Sequence, residues 1–136
     1  MAGNNLSAEL EGKPELTGPE SVAMVLAAAT GLAYWKLAGT WLEEERAEYQ
    51  LARCLLRAGE FDRARASIRN CIALCEANDA PAFERYFGHA VLAIAERAAG
   101  NVRAFAAARE AALAQYALIS KEEQGWCQRE LDEIAA

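Results

Sequence analysis

At 136 residues and 54% hydrophobic, the chain is long enough for one domain with a core of its own and too apolar to remain disordered. Its formal net charge of -6 excludes nucleic acid as an expected partner, because phosphate binding needs a basic surface. Membrane insertion is not expected either, for reasons given with the first apolar helix.

Residues 1–16 are polar, with Gly3, Asn4, Asn5, Gly12 and Pro14 among the acids Glu9, Glu11 and Glu15. No basic segment leads into an apolar run, so this is not a secretory signal. Leu6 and Leu10 can share a face of a short helix, but a loosely held arm is the expectation. Residues 17–136 then form a single helical domain. Thr17, Gly18, Pro19 and Glu20 make a capping box with proline in the first turn. The helix it opens reaches about Ala38 and is apolar nearly all round. Between Val22 and Trp35 it has no charge, but that stretch is short for a bilayer and ends at Lys36. A helix of this kind at the end of a stack predicts a homodimer through residues 17–38, with Ala23, Met24, Ala27, Thr30, Tyr34 and Leu37 on the outer side.

Thr40 and Glu43 suggest a second capping box, opening a helix from Trp41 to about Ala58. Its acids (Glu43, Glu44, Glu45) come first and its arginines (Arg53, Arg57) last, as the helix dipole favours. After Gly59 a third helix carries Phe61, Ala64, Ile68, Cys71, Ile72 and Cys75 as one apolar stripe. Asn78 or Asp79 is expected to cap the fourth helix, which runs through Phe83, Phe87, Val91 and Ile94 to Gly100. Asn101 opens a fifth, with Val102, Phe105, Ala112, Leu113 and Tyr116 inward. Ser120 and Glu123 box the last helix, with Trp126, Cys127, Leu131 and Ile134 inward. The expected fold is all-α: six antiparallel helices stacked as hairpins, with turns at Gly39, Gly59 and Gly100.

Two stretches repeat. Leu51-Ala52 leads to Ala58-Gly59 and Phe61, and Leu92-Ala93 leads to Ala99-Gly100 and Val102. With small Ala64 and the Cys71-Ile72 pair, residues 47–75 resemble a tetratricopeptide repeat, and Ala112-Leu113 closes a second copy. Glu48 and His89 stand where that family has a large aromatic, Phe105 where it has a small residue, and the two glycines are further apart than the family's ~34-residue period. The resemblance covers roughly half the chain. It implies a right-handed array of helical hairpins acting as a protein-binding scaffold, and not an enzyme.

Catalytic signals are weak. His89 is the only histidine, so a histidine metal cluster is excluded, and the residue three before it is Tyr86, which breaks the Glu-x-x-His pattern of bundle di-metal sites. Cys54, Cys71, Cys75 and Cys127 show no Cys-x-x-Cys pair and fall at apolar helical positions. They are expected to be reduced core thiols of a cytoplasmic protein; Cys54, Cys71 and Cys75 are expected to react slowly and form no zinc site, Cys127 beside Gly125 is left open, and no cofactor is expected. Trp35, Trp41 and Trp126 read as core or dimer contacts, with Trp41 the least suited to burial.

One pattern points to a partner. Arg46, Tyr49, Arg53 and Arg57 recur at three and four residues on the second helix and so form one ridge. In a tetratricopeptide-like array this ridge faces the concave side, where arginine forks suit carboxylates. The expected function is a protein or peptide interaction module that binds an acidic or carboxylate-ended segment, with the acidic arm as an internal competitor. The plain alternative pairs the arginines with Glu43, Glu45 and Glu60. A different class of function, small-molecule binding or catalysis, would use a closed pocket near Tyr86, His89 and Trp35.

Overall fold

The computed structural model describes the backbone of residues 2–135 and the side chains of 6–135. Met1 and the side chains of residues 2–5, which belong to the expected arm, lie outside the described residues, as does Ala136. The described chain is helical throughout, in seven helices rather than six. They are α1 (Ala2–Glu11), α2 (Gly18–Ala38), α3 (Trp41–Arg57), α4 (Phe61–Ala77), α5 (Ala82–Ala98), α6 (Val102–Tyr116) and an interrupted α7. The last runs Lys121–Gln124, tightens into a 3₁₀ turn at Gly125–Cys127 and resumes over Gln128–Glu133.

The additional helix is the arm. Leu10 and Leu16 pack against the core that α2 and α3 share, Ser7 and Glu11 are buried, and the Cys54 thiol points to the Ser7 carbonyl at 3.9 Å. Short helices are marginal alone, so this one is stabilised by tertiary contact rather than by its Gly-Asn-Asn start.

Helix ends follow the sequence closely. Thr17 accepts from the Glu20 amide and Glu20 reaches back to the Thr17 amide, a complete capping box. Ser120 accepts from the Glu123 amide. Thr40 departs from expectation: its hydroxyl bonds the Glu43 carboxylate, not a backbone amide. The two repeated turns close alike. Gly59 has φ 79° and Gly100 φ 82°, and the residue after each returns its amide to the carbonyl five back, Glu60 to Leu55 and Asn101 to Glu96, both at 2.9 Å. That is the αL closure that glycine permits. A third copy ends α4 without glycine: Asp79 takes φ 48° and Ala80 donates to Cys75 at 2.9 Å. Neither Asn78 nor Asp79 caps α5: Pro81 holds the N-cap position and Ala82 begins the helix. Gly39 is extended, and glycine is needed there for space: an added Cβ would lie 2.7 Å from the Trp35 ring.

Two cores result. Met24, Ala28 and Leu32 of α2 pack with Leu51, Cys54 and Leu55 of α3. Tyr86, Ala90 and Ala93 of α5 pack with Ala108 and Ala112 of α6 and with Cys127 and Ile134 of α7. Ala52, Ile68, Cys71 and Val91 join them. Gly88 sets the joint, because a Cβ there would come within 2.9 Å of Ile72 Cγ1, so α5 lies directly on α4.

α2 shows part of the expected side: Thr30, Tyr34 and Leu37 are exposed as expected, while two others are not. Met24 and Ala27 are buried, and the outer stripe is Val22, Leu26, Tyr34 and Leu37. Taken over all 21 residues, α2 is long and apolar enough to cross a membrane by length and composition, with 28% of its most apolar window buried in the fold. Val102, expected inward, is exposed in the first turn of α6.

Candidate interaction site along α3

The ridge on α3 exists, and it faces α5 and both ends of the chain. Arg46 donates from Nε and Nη2 to the two oxygens of Glu84 on α5, at 3.2 and 2.8 Å. Tyr49 donates to Glu130 Oε2 at 2.6 Å. Arg53 grips Glu133 with both terminal nitrogens, at 2.9 and 3.2 Å, and lies 3.8 Å from Glu130. Arg57 donates to the carbonyls of Glu11 and Pro14 at 2.9 and 3.2 Å. Arg129 then pairs with the Glu11 carboxylate, tying α7 to α1. None of these partners is among the three glutamates expected nearby. Glu43 serves Thr40, Glu60 serves Arg63, and Glu45 turns into the core. The pairs that form join residues far apart in sequence.

These contacts divide the ridge. Arg53 is 4% exposed, sealed under the Gln128–Glu133 limb of α7, and Arg57 is tied to the arm. Burial, with the Glu130 charge beside it, raises the Tyr49 phenol far above its ordinary value. The Arg46 side chain remains 60% exposed. Burial pushes the Glu84 carboxyl up, but hydrogen bonds from Arg46 and Glu45 prevail and hold it below the usual range.

Two hollows open at the Arg46 end. One, about 430 Å³, lies among Trp41, Leu42, Arg46, Phe83 and Leu118. The other, about 350 Å³, has Tyr49, Phe83, Phe87 and Trp126 as walls and Glu45 and Glu84 at its base. The rings meet edge to face, Phe83 with Phe87 at 5.0 Å and Tyr49 with Phe87 at 5.7 Å between centroids. Trp126, expected inward, stands 76% exposed at the rim. The 3₁₀ turn at Gly125–Cys127 rotates successive side chains differently from an α-helix, and it is Cys127 that points in. Searches against family models, curated proteins and solved structures find no match. What the site does is therefore argued from its own chemistry.

The pocket expected around Tyr86, His89 and Trp35 does not assemble. Trp35 packs on the first core, while Tyr86 is buried in the second with its hydroxyl on the Cys127 carbonyl at 3.1 Å. His89 is half-buried on α5 and lines neither hollow; burial lowers its pKa.

All four thiols are buried and free, as the sequence predicts. Two of them do more than fill space. Under the second hollow Cys71 donates to Glu45 Oε1 at 3.0 Å, and Cys75 adjoins the same pair. Burial first, then the neighbouring Glu84 carboxylate, pushes Glu45 up to about 9. The sequence carried a signal for this: Glu45 and Glu48 continue the buried stripe of Ala52 and Leu55 at helical spacing.

Proposed function

We propose that the chain is a protein-interaction module, built as tetratricopeptide-like helical hairpins, that binds a carboxylate-bearing segment at the Arg46 end of the α3–α5 groove. The observation carrying this reading is the exposed pair Arg46 and Trp126 at the mouth of an aromatic hollow. Arginine and tryptophan are the residue types that concentrate binding energy at interfaces, and an aromatic recess supplies the apolar anchor point. The other end of the groove supports the choice of ligand chemistry, since the chain's own acidic helix is held there by Arg53 and Tyr49. The arm meets the ridge through its backbone: the carbonyls of Glu11 and Pro14 bond Arg57, while the Glu11 carboxylate serves Arg129.

A photo-crosslinker placed at position 126 tests this in cell extract. The captured partner should be lost on Arg46→Glu and kept on Arg63→Glu, an exposed change on α4 away from the groove. Equal capture by both variants places the site elsewhere. The same reading gives the apolar stripe of α2 to a second copy, because Leu26 and Leu37 are 64% and 92% exposed. Sedimentation should show a dimer that Leu26→Arg splits, and a wild-type monomer at high concentration removes the idea. A reducing, cytoplasmic setting suits the free thiols.

A further inference from the structure

We propose that Glu45, Cys71 and Cys75 form a binding site for a thiophilic divalent cation of the zinc class, reached from the hollow walled by Tyr49, Phe83, Phe87 and Trp126. The site stands independently of the interaction surface above, although both use the same hollow.

Geometry is the first support. Cys71 and Cys75 are one turn apart on α4, so both thiols project from one face toward α3. One ligand atom from each of Glu45, Cys71 and Cys75 lies within 4.8 Å of the other two. Zinc–sulfur bonds of ~2.3 Å and zinc–oxygen bonds of ~2.0–2.2 Å ask only for a modest contraction of such a triangle. Gly88 holds the framework together: its missing Cβ lets α5 press on α4, with the position of that Cβ 3.7 Å from Cys71 Sγ.

The second support is a buried pair of carboxyls. Glu45 is 1% exposed, its Oε1 accepts from Cys71, and the carboxyl it faces is Glu84, with which it bonds only when one of the two holds a proton; ionised, its Oε2 has no donor. Two buried carboxyls face to face need either a shared proton or a cation between them, and at Glu45 two thiols stand ready as further ligands for a cation. The surroundings suit one. A divalent ion offsets most of the charge of two thiolates and a carboxylate, while Arg46 is already matched by Glu84. Sulfur ligands favour zinc over magnesium or calcium. Three protein ligands leave a fourth position, open to water from the hollow or to Glu84, both of which border Glu45. The competing account is that Glu45 holds a proton and shares it with Glu84, with no metal involved.

Cobalt separates the two accounts. The reduced full-length chain, stripped with chelator and titrated with Co²⁺, should bind one ion and show sulfur-to-cobalt charge-transfer absorption that Zn²⁺ bleaches. Cys71→Ser and Cys75→Ser should each weaken binding by at least about tenfold, since even outer-sphere changes cost 10–100-fold at metal sites. Glu45→Gln should weaken it too, while Cys54→Ser and Cys127→Ser leave the band intact. A second readout uses the wild type alone: Zn²⁺ should slow alkylation of Cys71 and Cys75, read by mass spectrometry, and leave Cys54 and Cys127 unchanged. A wild type without the charge-transfer band, or with unprotected Cys71 and Cys75, overturns the proposal in favour of the shared proton.

Discussion

The two ends of the α3 ridge begin from the same residue type and finish in opposite states. Arg53 is buried, both forks engaged by Glu133, with Glu130 beside it. Arg46, two turns earlier on the same face, also holds a carboxylate with two bonds, yet most of its side chain stays in solvent. The difference lies in what covers them. The Gln128–Glu133 limb of α7 lies over Arg53, whereas the side chains around Arg46, Trp41, Phe83, Leu118 and Trp126 among them, border open hollows. A ridge read from helical spacing is thus two objects, an internal clamp and an open edge.

Substituting the two arginines is the strongest way to test that division. Arg53→Ala removes one partner from a buried group of charges and leaves Glu130 buried without its cation, so it should cost about 3–5 kcal/mol in denaturant melts. Arg46→Ala, at an exposed position, should cost about 1–2 kcal/mol through its hydrogen bonds to Glu84 and abolish partner capture. Equal losses of stability would mean that the ends are not different in kind. Next in size is deletion of residues 1–16, which strips Leu10 and Leu16 from the first core and frees Arg57 and Arg129. About 2–4 kcal/mol should be lost, since each leucine covers apolar area worth ~1.5–3 kcal/mol at full burial and both are only partly buried. A deletion variant as stable as the full chain would restore the picture of a loose arm.

How much of this was legible in the sequence depends on the range of the contact. Helix limits, the Thr17 box and the closures at Gly59 and Gly100 are local, and the residues state them. The closure at Asp79 was missed because Asn78 and Asp79 read equally well as a cap for the next helix, although Asp is among the residues that enter αL most readily. The helix over 2–11 was hidden because its sequence is a poor helix former and packing decides. For the site, the ridge and the burial of the thiols could be read, but not the partners. Arg46 meets Glu84 and Arg53 meets Glu133 only after the helices stack, and Glu45, placed on the buried stripe by its spacing, meets Cys71 only when α4 closes on α3.

Gly88 tests the open end from beneath. Alanine there sets a Cβ 2.9 Å from Ile72 Cγ1, near the stem of a β-branched side chain with little freedom to move. The α4–α5 joint should lose about 1–3 kcal/mol, as overpacked cores do. The hollow above Glu45 should widen with it, which a crystal structure of Gly88→Ala would show. The Arg53 clamp, held by α3 and α7, should keep its geometry. Loss of the clamp in that structure would mean that the two ends move as one.

The smallest effect concerns His89, a half-buried side chain on α5 that lines neither hollow. Burial lowers its pKa below the ordinary 6.5; the Glu76 charge works against this and Arg85 with it. A depressed folded value means that the unfolded chain takes up the proton first as pH falls. Stability from the neutral imidazole is therefore complete above about pH 6.5 and declines as pH drops from there toward the folded value. Carboxylates that are ionised in the fold add an acid sensitivity of their own at lower pH, so the wild-type curve alone cannot isolate the histidine. The difference between wild type and His89→Gln can, because glutamine is polar, similar in reach and does not titrate. Their unfolding free energies should run parallel above pH 7 and converge or cross as pH is lowered toward 5, the variant losing less. Parallel curves over the whole range would mean that His89 titrates in the fold as it does in the unfolded chain, and that half-burial without a bound carboxylate does not discharge a side chain in this protein.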